Sequence, residues 1–238
     1  MNSNLETLFA DDEELPLNQN DFLMPQHAFR MLVCGSSGTG KTTIIFDAIV
    51  EGKLKFDCLY IYARAIDEPK YKKLARHMAT VAEALNIDVN EILKVGASGQ
   101  DIVKVDDLDP NKQNLVIFDD WISDKRTMDT IITEHFIRGR KRNASYVFIT
   151  QSYFTVPKTI RLNCDYFILF KVGLNREKRT LCSELGGTME YVDFKRLFEE
   201  ATEKHKFDWI FIDKKTDDEE LRFRKGFNKP MKLRPVED

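Results

Sequence analysis

The segment GSSGTGKT at 35–42 constrains this chain more than any other, because it matches GxxxxGK[ST] and separates an apolar run from an amphipathic one. A phosphate loop of this kind needs a strand before it and a helix after it. FRMLVC, from Phe29, reads as the buried strand, and TTIIFDAIVEG reads as the helix, with Gly52 as its C-cap. Gly35, Gly38 and Gly40 admit backbone conformations closed to other residues and let N–H groups approach phosphate oxygens. The expected nucleotide-contacting set is Gly35, Ser36, Ser37, Gly38, Thr39, Gly40, Lys41, Thr42 and Thr43. Lys41 offers a positive charge to the β- and γ-phosphates, reinforced by the helix N-terminus, and the Thr42 hydroxyl is placed for Mg²⁺. The cofactors expected are therefore ATP and Mg²⁺.

Further apolar runs follow at 58–63, 115–120, 146–151, 164–172 and 208–213. Helical patterns alternate with them. Residues 68–86 carry Leu74, Met78, Val81 and Leu85 on one face, and 124–138 turns Met128, Ile131, Ile132, His135 and Phe136 inward. Two more helices are predicted over 175–185 and 190–204, whereas 87–113, rich in Asp, Gly and Asn, gives no assignable pattern. Continuous apolar strands alternating with helices predict an α/β P-loop NTPase, with a mostly parallel sheet flanked by helices on both faces. Ligands of such sheets bind at the carboxyl ends of the strands. A length of 238 residues suits one such domain, read as 25–214, with a flexible acidic arm over 1–24 and a charged strand and tail over 215–238.

LVIFDD buries four apolar residues and delivers two carboxylates to a strand end. Asp119 is the expected Walker B group, holding Mg²⁺ through its water shell, and Asp120 is placed to orient or deprotonate the attacking water. A strand closing in an acidic turn is the plain alternative. The doubled acid favours hydrolysis over transfer to a second substrate. At the end of YVFITQ, Thr150 and Gln151 are candidates to sense the γ-phosphate, with Gln151 the better suited to bond both water and phosphate. RGRKRN at 138–143 holds three arginines, and an arginine finger reaching a neighbouring subunit competes there with DNA contact and with plain solvated surface.

Apolar residues at 42% and charged residues at 32% describe an ordinary globular chain. No run reaches the roughly 20 apolar residues of a membrane span, and the acidic N-terminal residues do not read as a signal peptide, so a soluble protein that is not secreted is expected. A net charge of −3 argues against non-specific coating of nucleic acid. Local basic faces remain: KYKKLAR at 70–76 and the group Arg222, Arg224, Lys225, Lys229 and Lys232 are candidates to line a DNA channel, with solvated surface as the alternative. Four dispersed cysteines without a CxxC pair read as reduced thiols, and Tyr153 and Phe154 as packing beneath the sensor loop.

With these elements in this order, about 29–172 resembles the viral genome-packaging ATPases of the FtsK/HerA superfamily, found in poxviruses, other large DNA viruses of eukaryotes and virophages. GSSGTGKT, LVIFDD, GRKRNAS and FITQSYFTVP carry the resemblance. Gly139, Arg140 and Asn143 match that family's GRHxN-like segment, and Lys141 stands where His is usual. The resemblance implies a RecA/FtsK-like fold and a homo-oligomeric ring, pentamer or hexamer, that threads double-stranded DNA into a preformed capsid. It also implies contact with a capsid or portal-vertex protein, in the virion or in viral factories of the host cytoplasm. The implied catalytic set is Lys41, Asp120, Gln151 and a trans-acting arginine, Arg140 before Arg142, with Thr42 and Asp119 at the metal. A P-loop nucleoside or small-molecule kinase, and a nucleotide-gated capsid-assembly protein without turnover, are the rival readings.

Overall fold

The computed structural model describes residues 22–232. The acidic arm lies outside the described residues except at 22–24, where Leu23 and Met24 are buried. The chain forms two compact units, Met24–Asp165 and a second built from Leu23 with residues 166–232, where the sequence predicts one domain over 25–214.

The larger unit runs β1 (Arg30–Cys34), α1 (Lys41–Val50), β2 (Cys58–Ala63), α2 (Pro69–Leu85), α3 (Val89–Ile92), β3 (Leu93–Gly96), β4 (Asn114–Asp119), α4 (Lys125–Thr127), α5 (Thr133–Arg138), β5 (Ala144–Thr150) and α6 (Lys158–Asn163). Its strands lie in the order β3-β2-β4-β5-β1, and every pairing among them is parallel. Every residue of β1, β2, β4 and β5 is buried. Successive side chains of a strand point to opposite faces, so both faces of this sheet are covered, as the uninterrupted apolar runs require.

Helix α1 ends as expected, with Gly52 at φ 70 just past its last turn. Helix α2 opens on Pro69 and stops at Asn86 in the left-handed region; its buried face is Tyr71, Leu74, Met78 and Ala82. Leu85 shares that face by angle but sits in the last turn, where it is 61% exposed at the rim of an open cavity of about 680 Å³ lined also by Leu54, Phe56 and Ile87. The segment from 87 to 113 supplies α3, held by a reciprocal Asp88–Glu91 capping box, and the edge strand β3. Only Leu93 and Gly96 of β3 are buried, so no apolar run announces it. The helix after β4 is not regular: a π turn over Met128–Ile132 separates α4 from α5, with the Thr133 hydroxyl donating to Met128 O at 2.8 Å. Met128, Ile132, His135 and Phe136 are buried as expected, while Ile131 is only half-buried.

The smaller unit runs β6 (Tyr166–Phe170), α7 (Asn175–Leu185), α8 (Tyr191–Thr202), β7 (Trp209–Asp213), β8 (Phe223–Lys225) and β9 (Lys229–Pro230). Its pairings β6–β7, β7–β8 and β8–β9 are antiparallel, so the parallel order belongs to the larger unit only. Most of the basic group at the end of the chain is paired within its own unit. Arg224 is buried beside Asp213 at 3.6 Å and donates to Leu221 O and Leu23 O. Arg222 bonds Leu185 O at 3.1 Å, and Lys225 and Lys232 pair with Asp208 and Glu220. Cys34, Cys58 and Cys164 are buried thiols outside any disulfide, and among the described residues no helix is long and apolar enough to cross a membrane.

Candidate nucleotide-binding site

Parallel pairing of β1 with β5 sets Cys34 opposite Thr150, and the Gly35 N–H donates to Thr150 O at 3.2 Å, so the phosphate loop starts at the carboxyl ends of both strands. Gly38 and Gly40 take φ of 70 and 90, the left-handed region that makes glycine the fitting residue at both positions. Gly40 is the N-cap of α1, and no side chain caps that helix end. Its first-turn N–H groups are thereby suited to an anion, and the helix dipole adds partial positive charge. Ser36 O gathers the loop by accepting from the Thr39 hydroxyl at 2.9 Å and from Lys41 Nζ at 2.8 Å. Burial pulls the Lys41 ammonium down from its ordinary pKa, against the opposing pull of the Asp119 carboxylate.

Asp119 closes β4, where its buried carboxylate oxygen Oδ2 accepts from the Thr42 hydroxyl at 2.7 Å and from the Tyr71 hydroxyl at 2.7 Å. Lys70 Nζ stands 3.4 Å from Thr42 Oγ1 and pairs with Glu68 at 3.0 Å. One residue beyond Asp119 the backbone turns left-handed, at φ 58 for Asp120, whose N–H donates to Ile149 O at 3.1 Å. That turn exposes the Asp120 carboxylate beside Gln151, whose Nε2 donates to Asp120 Oδ2 at 3.2 Å. Trp121, fully buried, donates its indole N–H to Tyr62 O at 2.8 Å and so ties the chain leaving the pair to β2. Thr150 differs from Gln151: it is wholly buried, and its hydroxyl bonds Ser152 O in the turn after β5.

Lys41, Thr42, Asp119, Asp120 and Gln151 are thus brought to one end of the parallel sheet. Arg140 and Arg142 are not. They sit in the 3₁₀ turn Gly139–Arg142 that precedes β5, at the amino end of a strand that spans roughly 20 Å. Arg140 pairs with Asp165, and Arg142 shares Asp106 with Arg138, each at 3.0 Å. The two guanidiniums hold the Asp106 carboxyl below its usual range. The flanking motif residues have local structural reasons: a Cβ on Gly139 would lie 2.0 Å from the Tyr146 hydroxyl oxygen, and Asn143 takes φ 50 while its Nδ2 donates to Lys112 O at 3.0 Å. Tyr153 is buried under the Arg161 guanidinium, and Phe154 packs edge-on against it with 39% exposure.

Lys70 and Tyr71 are the site neighbours that motif reasoning passes over. Within KYKKLAR they read as part of a basic run, and the available signal was that Tyr71 begins the apolar face of α2. Burial and the Asp119 carboxylate push the Tyr71 phenol well up, so it remains a donor at any ordinary pH. Among the described residues no group of three His, Cys, Asp or Glu could hold a metal on its own. The donors offered at the loop are instead one hydroxyl and one carboxylate. Hard oxygen ligands in that small number suit Mg²⁺, which keeps most of its water and shares the remainder with phosphate.

Residues 18–214 match the family described as the poxvirus A32 protein. The chain belongs to that family. Among its A32-type relatives is the variola virus DNA packaging protein OPG160, 25% identical over 169 residues, an alignment that covers 70% of this chain and 61% of the variola protein. The uncharacterized protein L437 of Acanthamoeba polyphaga mimivirus is 30% identical over 102 residues, 42% of this chain and 35% of that one. In fold, the A32-family chain is similar to the genome packaging NTPase B204 of Sulfolobus turreted icosahedral virus 2 in complex with AMPPCP. That match has a TM-score of 0.58 at 12% identity and covers 87% of this chain and 99% of B204.

Proposed function

We propose that this A32-family chain is the ATP-hydrolysing subunit of a motor that translocates double-stranded viral DNA into a preformed capsid. The observation that carries the reading is the convergence of Lys41, Thr42 and Asp119 with the Asp120–Gln151 pair at the carboxyl ends of β1, β4 and β5. Two carboxylates one residue apart face different tasks there. Asp119 is buried and tied to Thr42, the arrangement of a cation-holding group; Asp120 is exposed and bonded to an amide, the arrangement of a group that orients water. The packaging role of OPG160 and the fold shared with B204 support the same assignment.

In this reading the backbone from Gly35 to Thr43 and the Lys41 ammonium bind the phosphates. Thr42 and Asp119 would hold Mg²⁺, which would supply neutralisation of the phosphate charge. Asp120 accepts a proton from the attacking water, and Gln151 keeps both that carboxylate and the water aligned. Arg140, with Arg142 second, serves the site of an adjoining copy in a ring, since its own phosphate loop is a strand length away. The DNA-facing candidates are the exposed cations Lys72, Lys73 and Arg76 on α2.

Steady-state ATP hydrolysis with and without duplex DNA tests the proposal. The native chain should turn over ATP faster with duplex present, and Lys41→Ala and Asp120→Asn should each lose about 100-fold or more in kcat. Turnover without response to duplex, together with phosphate passed to an added nucleoside, would identify a kinase instead. Tight ATP binding with no turnover in either condition would leave an assembly protein gated by nucleotide.

A further inference from the structure

We infer that Tyr71 is a positioning residue of the nucleotide site: its hydroxyl fixes the orientation in which the Asp119 carboxylate presents its second oxygen to a bound divalent cation and its water. The inference rests on Thr42 and Asp119 being the cation-holding pair. Both protein donors to this carboxylate converge on the same atom, Oδ2, at 2.7 Å each. Among the described residues no hydrogen bond falls on Oδ1, which is therefore the oxygen left to accept from a cation's water shell. A carboxylate held by Thr42 alone can swing about its last torsion and tilt the plane of its two oxygens. A second donor approaching from a different element removes that freedom.

The surroundings of Tyr71 fix the direction of that second donor. Its ring is buried on the inward face of α2 and packs edge-on against Phe46, with centroids 5.5 Å apart. Phe46 lies on α1, the helix that also carries Thr42. A single phenol therefore joins α2 to α1 through its ring and to β4 through its hydroxyl. Metal ligands oriented by an outer hydrogen bond in this manner lose about 10–100-fold in metal affinity when that bond is removed.

Tyr71→Phe deletes the hydroxyl and keeps the ring packing, so it separates positioning from structure. The affinity of the full chain for a fluorescent, slowly hydrolysed ATP analogue is measured in Mg²⁺ and in EDTA, for the native chain, Tyr71→Phe, Asp119→Asn and the double variant. The expected result is that Tyr71→Phe binds in EDTA within about twofold of native, while the gain conferred by Mg²⁺ falls about tenfold. In the Asp119→Asn background, adding Tyr71→Phe should change nothing further, because Tyr71 acts through that carboxylate. A Mg²⁺ gain in Tyr71→Phe equal to native, or an undiminished loss in the Asp119→Asn background, would overturn the inference and leave the nucleotide site standing. A native chain whose affinity ignores Mg²⁺ would remove the cation-holding assignment itself.

Discussion

Asp120 sits at φ 58, a left-handed conformation that side chains rarely adopt and that Asp and Asn tolerate better than most. The turn is what separates two adjacent carboxylates, sending Asp119 inward to Thr42 and Asp120 outward to Gln151. Asp120→Asn therefore removes the charge without disturbing the backbone, which makes a loss of kcat with retained nucleotide affinity interpretable. Gly139 illustrates a different constraint, since its backbone is ordinary helical and the restriction comes from the Tyr146 hydroxyl against it. Tyr146 is fully buried, its ring packed on Phe136 and His135, and has little room to move. Gly139→Ala should cost about 1–3 kcal/mol in urea denaturation. If stability is unchanged, the close approach is not a constraint. At this scale the sequence was informative where a polar residue closes an apolar run, as at Asp119, Asp120 and Gln151. Tyr71 escaped because its partner lies 48 residues away, and no spacing within α2 encodes that meeting.

Most strands were legible as elements, and the parallel order of the larger unit with them, but the antiparallel direction of the later strands was not. β6 is as fully buried as β1, and nothing in YFILF distinguishes an antiparallel strand from a parallel one. β3 left no trace, because four residues with two exposed make no periodic signal. The helical segment after β4 was legible by its apolar period, but its π turn was not, as one extra residue per turn is within the tolerance of any such pattern. His135 lies just beyond that turn, with Nε2 donating to Val103 O at 2.9 Å and its ring against Phe118 and Tyr146. Burial lowers its pKa to about 4. The unfolded chain takes up the proton as pH falls through the ordinary value of about 6.5, and the folded chain only near 4, so this residue's contribution to stability is complete above about pH 6.5 and is lost as the pH drops towards 4. The loss amounts to roughly 3 kcal/mol across that window. Urea midpoints of the native chain should decline more steeply between pH 7 and 4.5 than those of His135→Gln. Parallel declines would show that His135 is not held neutral.

At the scale of the whole molecule, the proposed sharing of a site between copies gives a complementation test. Arg140→Ala and Lys41→Ala should each be inactive in ATP hydrolysis, and a mixture should recover a measurable fraction of native turnover, because an intact phosphate loop then meets an intact arginine. No recovery on mixing would count against a trans-acting Arg140; full activity of Arg140→Ala alone would exclude it. The separation of Arg140 from the phosphate loop by the length of β5 has a consequence for symmetry. A two-fold pair buries the same patch on both members, so one such contact would have to span both ends of the strand to serve donor and receiver together. A donor at one end and a receiver at the other favour head-to-tail contact, in which every copy gives to one neighbour and takes from another. Such a chain of contacts ends only by meeting itself or by running on as a filament. Whether this protein closes or polymerises would then depend on the angle between successive copies, and a substitution that alters that angle could convert a closed assembly into a fibre while leaving every individual site intact.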